Sequence, residues 1–323
     1  MRRLKAFGPA ARIVASVTML AILISRLHLS GLLPARHHSA VAFLLVALVV
    51  TLTGIVLSAL RWQRVLVALE VPTRVRTALN LYLAGLFVGN FLPSTVGGDV
   101  VRITRLSRIK GERTGPFASV VLERLTGWLV LPIITIAALL ANPGLLHLGH
   151  ATRLAVAVSL VTLFLLAVMT ALAGHPRLGG RLTQREGWMR FVGAVHLGLD
   201  QFRRRPAAAF EVLAVAFAYQ LAVALAAYLA AGALDLSVGW TAILAFMPVV
   251  AIVQVLPLTV GGLGLREGAF ILFLGPLGVS TSQAIALGLL VYFLNLAVSL
   301  LGAPAFAAGV RTRGAVSYSH RST

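Results

Sequence analysis

The sequence predicts an all-α polytopic membrane protein: two inverted-repeat halves, about six full spans and two re-entrant broken hairpins. Three observations predict it. Hydrophobic residues make up 59% of the 323 and charged residues only 11%, against roughly a quarter charged in soluble domains. Uncharged stretches run 40–60, 77–98, 125–146, 154–174, 212–234, 236–265 and 268–310, and about 20 such residues cross a hydrocarbon core. One helix-breaking phrase also occurs twice, as "FLPSTVGGDVVR" at 91–102 and "VLPLTVGGLGLR" at 255–266.

The elements follow in order. A basic head (Arg2, Arg3, Lys5, Arg12) precedes an apolar run from Ile13. It resembles a signal peptide, but without a clean small-residue cleavage site, so 13–33 is expected to be a retained first span. The second span, 40–60, delivers Arg61, Arg64, Arg74 and Arg76 to the cytoplasmic side, as the positive-inside bias requires. Were 77–98 a full crossing, Arg102 to Arg113 and the seven arginines from Arg177 to Arg205 would lie on the wrong face. The stretch 78–106 is therefore expected to enter, break at "LPSTVGG" and return. Spans at 117–141, 153–174 and 207–231 follow.

With the tail 311–323 cytoplasmic, 240–279 must go in and come out on one side, and 284–310 supplies the last crossing. The return limb, 268–279, measures about 18 Å as helix, too short to span. The single membrane domain 1–323 thus divides into a first half, 13–141, and a second, 153–174 plus 207–310. A basic amphipathic connection, 175–206, joins them. Interrupted segments at matching places in inverted halves point to a transport site at the midplane.

Pro93 and Pro257 disfavour helix at the preceding leucine and lack a donor. Gly97–Gly98 and Gly261–Gly262 permit unusual backbone angles. Irregular backbone at membrane depth must be buried in protein or face a wet cavity. Helices restarting there would turn N–H groups and a positive dipole end toward that cavity. With Arg102 and Arg266 in their first turns, they suit a phosphate or carboxylate. Thr95 and Thr259 belong to the same two phrases. Asn90 and Gln254, each three residues before the proline, would bond freed backbone groups or touch ligand.

Only nine acidic residues occur. Asp99 and Glu267 adjoin the phrases, Asp99 at i,i+3 from Arg102. Glu123–Arg124 interrupts an apolar stretch, and intramembrane charges default to function. Glu70, Glu112, Glu186, Asp200, Glu211 and Asp235 read as solvated. Gly85–Gly89 and Gly264–Gly268 form GxxxG pairs that favour close helix packing.

Several classes are excluded. Without cysteine there is no disulfide, thiolate nucleophile or cysteine metal site. His37, His38, His147 and His150 lack ligand spacing, so no metal, catalytic set or cofactor is expected. The net charge of +19 reports loop topology, not nucleic-acid binding. "GGLGLREG" has Glu267 where a dinucleotide loop needs glycine, and no strand–helix units around it. The stretch 183–205, with Trp188, Met189, Phe191, Val192, Val195 and Leu199 among arginines, reads as an amphipathic helix on an anionic leaflet.

At Arg61–Trp62, "NFLPSTVGGDVVR" (90–102), "LERLTG" (122–127) and "LPLTVGGLGLREG" (256–268), the chain resembles the membrane domain of the lysylphosphatidylglycerol synthase/flippase family, over essentially its whole length. The resemblance implies binding and translocation of lipids, including aminoacylated phosphatidylglycerol. It also links stand-alone relatives to polyprenyl-lipid glycosylation or hopanoid pathways. The soluble aminoacyl-transferase domain of the full synthase does not follow the spans here, so the synthase reaction itself is not expected.

The expectation is a translocator in the bacterial inner membrane, with both termini cytoplasmic. It would bind a phosphate-containing lipid headgroup through Arg61, Arg102, Arg124 and Arg266, balanced by Asp99, Glu123 and Glu267. Lipid tails would stay in the bilayer. Gly97, Gly98, Gly261, Gly262 and Gly264 would bring backbone close to the headgroup. One rival is a membrane transferase using Asp99 or Glu123 as base. Another is a non-catalytic partner that recruits a cell-envelope glycosyltransferase or lipid-modifying enzyme through 175–206.

Overall fold

A computed structural model describes residues 38–91, 97–175, 189–255 and 262–307. The expected first span, Pro93, Thr95, Pro257, Thr259, Gly261, Trp188 and the tail 311–323 lie outside the described residues. Within them every regular element is helical: α1 His38–Ala68, α2 Val75–Phe91, α3 Gly97–Lys110, α4 Thr114–Ala141, α5 His150–Gly174, α6 Met189–Arg204, α7 Pro206–Ala233, α8 Trp240–Gln254, α9 Leu265–Leu274, α10 Thr281–Ser299 and α11 Gly302–Ala307, with short 3₁₀ turns at Pro143–His147 and Gly275–Leu277. Among the described residues five helices (α1, α4, α5, α7 and α10) are long and apolar enough to cross a membrane. The protein is a multi-pass membrane protein.

Both repeated phrases interrupt a helix. The first separates α2 from α3, which restarts at Gly97; the second separates α8 from α9, which restarts only at Leu265. The difference is chemical. Where the first copy has Val100, the second has Gly264. Gly262 (φ 74°) and Gly264 (φ 85°) take left-handed angles that carry the chain through an extra turn. Gly264 therefore caps α9 instead of packing in a GxxxG pair.

Helix packing carries the arrangement. α1 lies along α7, α8 packs on α4, and each broken pair folds back on itself, α3 on α2 and α9 on α8. Phe246 of α8 stacks on Phe273 of α9 with centroids 5.3 Å apart. Gly85 and Gly89 do pack closely, both against Gly98. A Cβ on Gly98 would lie 2.3 Å from Gly85 O.

Two expectations are corrected. The last span does not run to 310: α10 ends at Ser299, and α11 turns onto α2. There Gly302 approaches so closely that a Cβ would meet Leu83 O, and Arg105 donates to Ala305 O and Phe306 O at 3.1 and 2.8 Å. The connecting helix α6 is amphipathic, and part of its apolar face packs on protein while Phe191 stays exposed. Val192 and Val195 are buried with Ala173, Leu125 and Met169 of α4 and α5, and Gly198 fits against Leu122.

Candidate functional site

A cavity of about 350 Å³ lies where the two broken pairs meet. Gly98, Asp99 and Arg102 reach it from the first phrase's restart, and Arg266 from the second's. Asn90 and Gln254 line it from the helices just before each break. Arg61 of α1 and Glu123 and Arg124 of α4 complete the charged lining. Nine of the expected site residues therefore share one chamber. Gly97, Gly262 and Gly264 are described but are not in its wall, and Glu267 stands behind Arg266.

Its charges are interlocked. Arg61 Nη2 donates to Glu123 Oε1 at 2.7 Å, and Arg102 Nη2 donates to Glu123 Oε2 and Asp99 Oδ1, both at 2.8 Å. Arg124 closes the chain through Nη2 and Nε to Asp99 Oδ2 at 2.7 and 3.0 Å. Thus α1, α3 and α4 are tied by one network. Arg61, Arg102 and Glu123 are buried, while the Arg124 side chain keeps 44% of its surface. Glu123 sits inside the protein.

Space for these groups is written into small residues. A Cβ on Gly127 of "LERLTG" would come 2.9 Å from Arg61 Nη1. The Arg102 guanidinium lies over both the Trp62 and Tyr82 rings, 4.8 and 4.6 Å from their centroids. Such contacts hold a cation without neutralising it. Tyr219 and Tyr292 serve Arg61 and Arg266 similarly, at 5.2 and 5.1 Å.

At the second phrase, Glu267 Oε1 accepts from Arg266 Nη2 at 2.6 Å and from Nε at 3.1 Å, and Glu267 Oε2 accepts from the Gly264 N–H at 2.6 Å. That amide, which the spacing leaves open for a ligand, is consumed by the cap. One free donor is lost and a rigid Arg266 is gained.

Counting side chains at full charge, four arginines face three carboxylates (Asp99, Glu123, Glu267), a surplus of one positive charge. Arg61 Nε and Nη1, Arg102 Nη1 and Asn90 Nδ2 are buried without a hydrogen-bond partner among the described residues. Buried donors left unpaired are costly. Among the described residues no three His, Asp or Glu side chains group as metal ligands do.

Charge-led reading of the sequence misses Tyr82, Trp128, Tyr219, Gln220, Tyr292 and Asn295, which also line the cavity. The available signal was weaker. Gln220 and Asn295 are amides inside otherwise apolar stretches, where polar groups are as expensive as they are informative.

No curated relative matches the chain. The sequence profile of the lysylphosphatidylglycerol synthase TM region matches residues 10–302, from ahead of α1 through the end of α10. With a match of that extent over a multi-pass helical fold, the chain belongs to the lysylphosphatidylglycerol synthase TM region family, whose members are membrane proteins related to lipid modification.

Proposed function

We propose that the protein is a lipid translocator that binds a phosphate-bearing headgroup in the cavity between the two broken helix pairs. The observation that carries this reading is the meeting of Arg61, Arg102, Arg124 and Arg266 in one chamber, with buried nitrogens of Arg61 and Arg102 that have no hydrogen-bond partner among the described residues. A phosphate presents several acceptor oxygens and fits the guanidinium fork. A chamber of about 350 Å³ lies within the range of roughly 300–1,000 Å³ usual for small-molecule sites.

The headgroup would compete with Glu123 and Asp99 for the arginines. Arrival would loosen the tie between α3 and α4, and departure would restore it. That exchange gives the site two arrangements close in energy, as alternating access requires.

The broken pairs act as re-entrant hairpins in two inverted halves, in the bacterial inner membrane. Two features support this. α8 and α9, at 15 and 10 residues, extend only about 22 and 15 Å, short of a ~30 Å core. Helix pairings also recur between the halves: α1 with α2 as α7 with α8, α3 with α4 as α9 with α10, and α4 with α7 as α10 with α1.

The test is mass spectrometry of lipids that co-purify with the protein. Wild type is expected to retain a phosphate-bearing lipid that Arg266→Ala releases. Identical lipid profiles from the two proteins would refute headgroup binding at this chamber.

A further inference from the structure

Beside the charged cavity lies a smaller hollow of about 120 Å³ between α1, α2, α7 and α10. Tyr82, Leu86, Tyr219, Val223, Val291 and Asn295 line both, so the two adjoin across a collar no thicker than these side chains. Beyond the collar the wall is Val50, Thr51, Gly54, Ile55, Ala226 and Leu294, with Ser58 at its edge.

The charged side chains lie on one side of the collar, and the wall beyond it is mostly aliphatic. In the hollow beyond the collar both hydroxyls are committed. Thr51 Oγ1 donates to Ala47 O, and Ser58 Oγ shares a hydrogen bond with Tyr82 OH, both at 2.7 Å. The aliphatic wall beyond the collar suits hydrocarbon, while Tyr219 and Asn295 bring polar atoms to the collar itself. The neighbouring chamber holds guanidinium and carboxamide donors that have no partner among the described residues. Its width comes from small residues: a Cβ on Gly54 would touch Ala222 and Tyr219 at 3.7 and 3.8 Å, ordinary contact, so a longer side chain there must project into the space.

We propose that this hollow is a slot for the headgroup-proximal methylenes of one hydrocarbon chain of the transported lipid. The inference rests on the phosphate-headgroup reading above and changes one part of it: one tail leaves the bilayer with its headgroup. Substrates are then recognised as amphiphiles, a phosphate on one side of the Tyr82–Tyr219 collar and an alkyl or prenyl chain on the other.

The experiment uses the full chain in lipid nanodiscs. One arm photolyses a phosphatidate with a diazirine near the start of one acyl chain and maps the cross-links. The other titrates glycerol 3-phosphate, which has no chain. Wild type is expected to be labelled at 50–55 of α1, or around Ala226 or Leu294. Gly54→Leu and Ala226→Leu should cut that labelling at least fivefold and leave glycerol 3-phosphate affinity within twofold.

Labelling confined to outward residues such as Phe164 and Leu165 of α5 would overturn the slot while headgroup binding persists. Unchanged labelling in both variants would do the same. Loss of glycerol 3-phosphate binding by wild type would instead remove the headgroup reading, and the slot with it. The wild-type cross-link map decides even if a variant fails to fold.

Discussion

Arg102 Nη2 donates to Glu123 Oε2 at 2.8 Å, joining the helix that follows the first break to the span after it. The same nitrogen reaches Asp99, and the other Glu123 oxygen accepts from Arg61. A single carboxylate therefore holds two buried guanidinium groups, and the predictions start from that asymmetry.

Glu123→Ala leaves Arg61 buried without a carboxylate partner and Arg102 with Asp99 alone. Removing one partner of a buried ion pair typically costs about 3–5 kcal/mol. Thermal unfolding in detergent should show a loss of that order, smaller for Glu123→Gln, which keeps an acceptor. A Glu123→Ala protein as stable as wild type would mean that water already solvates both arginines.

Gly98→Ala places a methyl group 2.3 Å from Gly85 O. The obstacle is backbone, so α2 and α3 must separate. Overpacking of this kind costs about 1–3 kcal/mol. The expected readout is a lower unfolding midpoint.

Gly127→Ala meets the end of a side chain instead, Arg61 Nη1 at 2.9 Å. Arg61 can shift by a few tenths of an ångström, so stability should change by less than about 1 kcal/mol. Headgroup affinity should fall severalfold, because the guanidinium is displaced from its position in the chamber wall. Calorimetry with glycerol 3-phosphate separates the two effects.

Arg124→Ala should separate binding from folding most cleanly. Its side chain is 44% exposed and its ion pair with Asp99 is partly solvated, and such pairs contribute about 0–1 kcal/mol. The unfolding midpoint should barely move while affinity for a phosphate headgroup drops about tenfold or more.

The sequence made the breaks legible because proline and paired glycine act locally. Pro93, Gly97 and Gly98 need no distant partner to interrupt a helix. Arg61, Arg102, Glu123 and Arg266 were legible because a charge within oil demands a reason. What escaped depended on neighbours. α10 stops at Ser299, and just beyond it Gly302 packs against Leu83 O, a contact between residues far apart in sequence. The apolar face of α6 looks the same whether lipid or the Leu125 and Met169 side chains cover it. Tyr82, Tyr219 and Asn295 carry no charge, and only their convergence on one cavity marks them.

The most direct measurement is transbilayer movement of a labelled anionic phospholipid in proteoliposomes of purified protein. Wild type should move it well above protein-free vesicles. Arg124→Ala and Arg266→Gln, reconstituted at equal density and shown to be folded, should lose at least nine-tenths of that rate. Wild-type rates in both variants would contradict the claim that the guanidinium groups between the broken helices handle the headgroup.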